Sequence, residues 1–98
     1  MIALRHALPL VRGDLGNAVA FERTWLRVAL QDAAGHAGYD SWWLVDDLVA
    51  GISLYLRNCY VKNVIDVPEL ESMVRGALRK IGYGEVAARF RATPWSNS

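Results

Sequence analysis

The 98-residue sequence has one cysteine, Cys59, and only two histidines. A single cysteine excludes an intramolecular disulfide. Because the chain also lacks a CxxC pair and a cysteine–histidine cluster, we expect no metal site. This cysteine usage is typical of a reducing compartment, which predicts a cytoplasmic protein. We expect Cys59 to be a small buried side chain among its apolar neighbours.

The sequence also lacks an excess of charge of one sign, since 11 Lys and Arg residues balance 10 Asp and Glu residues to a net charge of +1. This balance argues against nucleic acid as a partner and against a disordered acidic tail. Charged residues interrupt every apolar run well before the about 18 residues that a membrane span needs. The first residues do not resemble a secretory signal, so we expect neither membrane insertion nor secretion.

Apolar residues, by contrast, are plentiful. They make up 53% of the chain, enough to build a core without disulfide or metal support. Nine of the 11 basic residues are arginine, whose planar guanidinium suits phosphate and carboxylate groups. Four tryptophans are many for a chain of this length. The composition therefore predicts one small globular domain.

The N-terminal part of the sequence predicts a β-hairpin followed by a helix. Partial alternation of apolar residues over 2–12 favours a strand, and 18–21 favours a short return strand beyond a turn-rich segment. After the hairpin the apolar spacing becomes helical. This predicts a first helix over 22–34 that Gly35 ends.

A second helix is predicted after a glycine-containing loop. Asp40 or Ser41 is expected to cap it, and its apolar residues continue over 42–56 on more than one face. That pattern indicates the central and most buried element. Gly51, in its middle, lowers helix propensity by about 1 kcal/mol relative to alanine. We expect a neighbouring helix to approach closely there.

A third strand and a third helix follow. The apolar residues of 61–67 favour a short strand that pairs with the hairpin. Asp66 is placed as the N-cap of the next helix, Pro68 stands in its first turn, and Glu69 is placed to close a capping box. This is the strongest local signal in the chain.

The rest of the sequence completes the predicted fold. The third helix is expected to end at Ile81 and a fourth to cover 84–92. We therefore expect an α+β fold, a four-helix cluster capped by a small N-terminal β-hairpin plus one short strand. The predicted domain spans 1–92, and 93–98 form a C-terminal tail.

The chain offers no recognisable catalytic constellation. His6 and His36 have no nucleophile or carboxylate partner at a familiar spacing. Asp46 and Asp47 are adjacent on a helix, so their side chains point about 100° apart and do not face each other. No phosphate-binding loop of the Walker type is present. We therefore expect no catalytic residues and no enzymatic activity.

Two groups of residues remain as candidates for binding. The arginines of the hairpin and first helix either lie on a solvated surface or form an anion site between these elements. Trp42 and Trp43 are adjacent, so both rings cannot be equally buried. One belongs to the core and the other to a surface that suits a partner. Trp95, in the tail, is a further candidate for such a surface.

Three segments share their residue types, order and spacing with one known family. They are Val11-Arg12-Gly13-Asp14-Leu15-Gly16 with Phe21 five residues after Gly16; the helix from Phe21 to Ala33, twelve residues later; and Val64-Ile65-Asp66-Val67-Pro68 with Leu70, Val74, Leu78, Gly82-Tyr83, Val86-Ala87 and Phe90-Arg91. On these residues, about 10–92 resembles the ATP-cone. This is a small nucleotide-binding regulatory module of ribonucleotide reductases and of the bacterial repressor of their genes.

The resemblance implies a non-catalytic regulatory module that binds a purine nucleotide, ATP or dATP, to control association. It also implies the nucleotide-binding residues, with the three arginines holding phosphate beneath the hairpin. These candidates are Arg5, Arg12, Gly16, Phe21 and Arg23.

The chain departs from the family where the phosphates are held. The lysine–arginine pair usual before the glycine of the turn is reduced to Arg12, and Asp14 would repel phosphate. Trp25 stands where the family has a lysine. A charge-assisted contact contributes about 1.5–3 kcal/mol, so two losses are large. The alternative is a cone-like protein–protein interaction module without nucleotide binding, which self-associates or docks through Trp42, Trp43 or Trp95.

Overall fold

The computed structural model describes residues 8–96, so Arg5, His6 and most of the predicted first strand lie outside the described residues. The α+β class, with a helical cluster and a small three-stranded sheet, is confirmed. The described elements, in chain order, are β1 (Leu10–Arg12), β2 (Ala18–Val19), α1 (Arg23–His36), α2 (Val45–Asn58), β3 (Val64–Asp66), α3 (Val67–Lys80), α4 (Gly84–Arg89) and α5 (Thr93–Ser96).

The sheet has the strand order β2-β1-β3. β1 pairs with β2 antiparallel, with Val11 opposite Val19, and with β3 parallel, with Val11 opposite Ile65. The hairpin turn is closed by the Gly16 amide, which donates to the Gly13 carbonyl at 3.0 Å, and Gly16 has a φ of 88° that suits glycine. Val11 and Ile65 are buried, so the sheet closes one side of the core.

The helices pack around α1 rather than around α2. α1 contacts α2, α4 and α5, whereas α3 packs mainly on α4. The buried side of α1 carries small and branched apolar residues, Leu26, Ala29, Leu30, Ala33 and Ala34. The prediction that the second helix is the central element is therefore wrong. α2 packs chiefly against α1, and its opposite side faces outward.

α2 also begins later than predicted. Neither Asp40 nor Ser41 caps it, because Ser41 has a φ of 50° in a turn and the helix starts at Val45. Trp42 and Trp43 therefore lie in the connection before the helix. The Trp42 ring is buried, with its centroid 4.8 Å from that of Tyr83, whereas Trp43 is 73% exposed.

α3 begins at the predicted place, but the predicted capping box does not form. Asp66 is the N-cap residue, yet neither its side chain nor that of Glu69 caps the helix. Asp66 instead forms an ion pair with Arg12, with Oδ1 lying 3.0 Å from Nε, and Glu69 accepts a hydrogen bond from the Tyr60 hydroxyl at 3.0 Å. Burial and this bond to a carboxylate together raise the pKa of Tyr60 to about 12.

The expected tail over 93–98 needs correction. α4 ends at Arg89, and after it Thr93–Ser96 form the short helix α5. Trp95 is fully buried, stacked on Phe21 with ring centroids 5.5 Å apart, and its indole nitrogen donates to the Ala20 carbonyl at 3.2 Å. The packed unit therefore extends past residue 92, because Trp95 supplies one of the largest core side chains.

Candidate functional site

The predicted phosphate-binding arginine of the hairpin is already paired. Arg12 is about half exposed, and its Nε lies 3.0 Å from a carboxylate oxygen of Asp66, its neighbour across the β1–β3 ladder. Asp14, also exposed, adds a second negative charge in the adjoining turn. Gly16 forms the turn itself. These two carboxylates weaken the attraction of Arg12 for an incoming phosphate.

The other predicted nucleotide-binding residues do not gather around Arg12. Phe21 is buried beneath Trp95, and Trp25 lies edge-on to the same indole with centroids 5.6 Å apart. Arg23 is exposed at the first position of α1. Neither of the two cavities described below is lined by Arg12, Phe21 or Arg23.

Of the predicted interaction residues, the structure places one at the surface. Trp42 and Trp95 are buried, so their rings pack in the core. Of the three, only Trp43 exposes its ring to solvent. Cys59, predicted to be buried, is exposed just beyond the end of α2. The exposure of Trp43 agrees with the expectation that one member of the Trp42–Trp43 pair faces outward.

An apolar opening lies between two helices, and it was not predicted from the sequence. We call it the α2–α3 groove. It has a volume of about 540 Å³. Its walls are residues that recur at helical spacing on each helix: Asp47, Leu48, Gly51, Ile52 and Tyr55 on α2, and Met73, Gly76, Ala77 and Lys80 on α3.

Two glycines lie on facing walls of this groove. A Cβ added at Gly51 or Gly76 would meet nothing within 4 Å outside its own helix. The expectation that a neighbouring helix of the same chain approaches Gly51 closely is therefore wrong. Each glycine nevertheless lowers helix propensity by about 1 kcal/mol relative to alanine. The two glycines leave the helix backbone of both walls accessible to a molecule bound in the groove.

The groove combines apolar walls with two single charges of opposite sign. Asp47 belongs to α2 and Lys80 to α3, and neither forms an ion pair with another residue of 8–96. The neighbouring carboxylate differs, because Asp46 pairs with Arg27 of α1. Tyr55 remains about half exposed at the groove. Such a surface suits an apolar partner that also carries complementary charges.

A second cavity, of about 490 Å³, lies beside the starts of β1 and β3. It carries the cations Arg57 and Lys62, with Tyr60 and Asn63 beside them. Arg57 stands in the last turn of α2, where the free carbonyls of the helix end contribute negative potential. This potential works against anion binding, so the cavity is a weaker candidate than the α2–α3 groove.

The described residues show neither a metal-binding cluster nor a membrane-spanning segment. No group of three or more His, Cys, Asp or Glu residues within 8–96 is arranged to hold a metal ion. In the same range, every helix is too short or too polar to cross a membrane.

Comparison with known proteins adds no family assignment. No family model matches the sequence, and no curated protein matches it significantly. Function is therefore inferred from the geometry of the α2–α3 groove and of the hairpin.

Proposed function

We propose that this chain is a non-catalytic interaction module that binds a protein partner in the α2–α3 groove. The observation that carries the proposal is the open, glycine-walled apolar groove between two helices that pack on different neighbours. Helix-lined grooves are a recurring means of recognising another helix, whose apolar side chains enter between the walls. In this proposal the chain is a cone-like module that has kept the fold and lost nucleotide binding, and the groove is its binding site.

Exposed apolar side chains near the groove support this proposal. Leu54 and Tyr55 of α2 are 52% and 49% exposed, and Trp43 stands just before the same helix. Leu54 is three residues from Gly51 and Tyr55 four, so both side chains lie next to the open backbone of that glycine. Aromatic residues in such positions commonly supply much of the binding energy of an interface.

A photo-crosslinking experiment tests the proposed function. We expect a benzoylphenylalanine placed at Tyr55 to form a covalent adduct with a defined protein, because this side chain lines the groove. The same probe at Glu22, exposed before α1, is the control and should give none. The adduct should disappear when Gly76→Leu fills the groove. Absence of any adduct at Tyr55, or its persistence in the filled variant, would contradict the proposal.

Nucleotide binding in the manner of an ATP-cone is the competing function, and thermal unfolding separates the two. We expect millimolar ATP or dATP to leave the unfolding midpoint unchanged, because Asp66 pairs with Arg12 and Trp95 covers Phe21. A ligand that binds only the folded state must raise the midpoint.

The matched control for this measurement is Asp66→Asn, which removes the carboxylate partner of Arg12. If either nucleotide raises the midpoint of the wild-type chain, and Arg12→Ala abolishes that rise, the regulatory nucleotide-binding function replaces the one proposed.

A further inference from the structure

Building on the proposed function, we propose that the protein in the α2–α3 groove is a second copy of this chain. In this arrangement a two-fold axis runs along the groove, so α2 of each copy lies on α3 of the other. The two grooves then face each other and their apolar walls form one shared core. Four 14-residue helices, each about 21 Å long, surround that core.

The charges of the groove favour a second copy over an unrelated partner. Asp47 and Lys80 belong to opposite walls and lack ion-pair partners within 8–96. A two-fold interface uses the same surface on both copies. Because the axis runs along the groove, the charged residue on each wall of one copy meets the opposite wall of the second copy. Asp47 then pairs with the partner's Lys80, and the same pair forms a second time by symmetry. The groove of each copy thus carries both the acidic and the basic residue that these ion pairs require.

The two glycines fit the same arrangement. Gly51 on α2 faces the partner's Gly76 on α3, and the absence of a side chain at both positions allows the two helix backbones to approach closely. Within one chain nothing occupies the space beside either glycine, which is the space that the second copy fills. The exposed side of Tyr55, which lines the groove, is covered in the same step.

Charge exchange tests the self-association directly. The D47K chain carries lysine at both charged positions of the groove, and the K80D chain carries aspartate at both. Each variant alone should repel its own copy, and its dimer dissociation constant should rise about tenfold or more. An equimolar mixture should recover dimers, because every lysine then meets an aspartate. Sedimentation equilibrium measures all three samples, and circular dichroism verifies that each variant is folded.

Recovery in the mixture supports the proposal, because neither an ion pair within one chain nor an unrelated partner produces it. A wild-type chain that stays monomeric at high micromolar concentration overturns it. Equal dissociation constants for the wild-type chain, the single variants and the mixture overturn it as well.

Alanine at the glycines provides a second test that is independent of charge. We expect Gly51→Ala and Gly76→Ala to raise the unfolding midpoint of the dilute chain, because each adds helix propensity without a clash, and to weaken the dimer. Gly35→Ala in α1 is the matched control, which should stabilise the chain without weakening the dimer. Undiminished association in both groove variants would contradict the close approach.

The crosslinking experiment distinguishes failure of this inference from failure of the proposed function. An adduct from Tyr55 to a second copy of the chain supports both. An adduct to a different protein overturns the second copy and leaves the interaction module standing, whereas no adduct overturns both.

Discussion

Replacing Trp95 by alanine is expected to lower the free energy of unfolding by about 3–5 kcal/mol, the usual range for truncation of a fully buried tryptophan. The indole is fully buried between the hairpin side of the molecule and α1, where it stacks on Phe21 and meets Trp25 edge-on. Alanine leaves a cavity and also removes the donor that bonds the Ala20 carbonyl. Denaturation with urea, followed by circular dichroism, measures the change.

Trp95→Phe is the matched control for this prediction. Phenylalanine keeps an aromatic ring against Phe21 but loses the hydrogen bond to Ala20, so we expect it to recover much of the lost stability. A Trp43→Ala variant removes an exposed tryptophan instead and should change the unfolding free energy by about 0.5 kcal/mol or less. If Trp95→Ala were as mild as Trp43→Ala, the position of α5 in the core would be wrong.

The position of Trp95 also marks the limit of what the sequence predicts near the C-terminus. The segment 93–98 has one aromatic residue among threonine, proline, serine and asparagine, so it shows no apolar periodicity and the sequence predicts a tail. Its burial depends on Phe21 and Trp25, more than 60 residues away in the chain. Local patterns carry no information about such a contact.

The sequence predicts elements with strong local signals closely. Asp66 and Pro68 mark the start of α3, and the helix begins there because proline needs no hydrogen bond in the first turn. The side-chain partners of this helix start were not predicted, since Arg12 and Tyr60 come from other elements and take both carboxylates that could have formed the capping box. Backbone propensity is local, whereas the choice of a side-chain partner is tertiary.

The α2–α3 groove could not be read from the sequence for a related reason. Helical spacing predicts which residues share one side of α2 and which share one side of α3. It does not predict that these sides lie next to each other without packing together. That arrangement arises because α2 packs on α1 and α3 packs on α4. The sequence marks Gly51 as unusual for a helix interior, but the space beside it opens to solvent and not to a neighbouring helix.

A partly buried hydrogen-bond network joins α3 to the segment that leads into α5. Arg75 donates from Nε and Nη2 to the Phe90 carbonyl at 3.2 and 2.9 Å. Glu71 accepts from the Ala92 amide at 2.8 Å, and its other oxygen lies 3.4 Å from Nη2 of Arg75. Arg75 of α3 is thus bonded within the protein. Its role is to fix the chain just before Trp95.

Glu71→Ala is therefore expected to lower the unfolding free energy by about 1.5–3 kcal/mol, the contribution typical of hydrogen bonds to a charged group. Because Glu71 anchors residues 90–92, the loss should also loosen α5, raising amide hydrogen exchange near Trp95 before the rest of the helices respond. Glu71→Gln is the control, since its amide oxygen still accepts from Ala92 while the ion pair with Arg75 is lost, and its effect should be smaller. If alanine and glutamine destabilised equally, the bond to Ala92 would contribute nothing, and the attachment of α5 would depend on Trp95 packing alone.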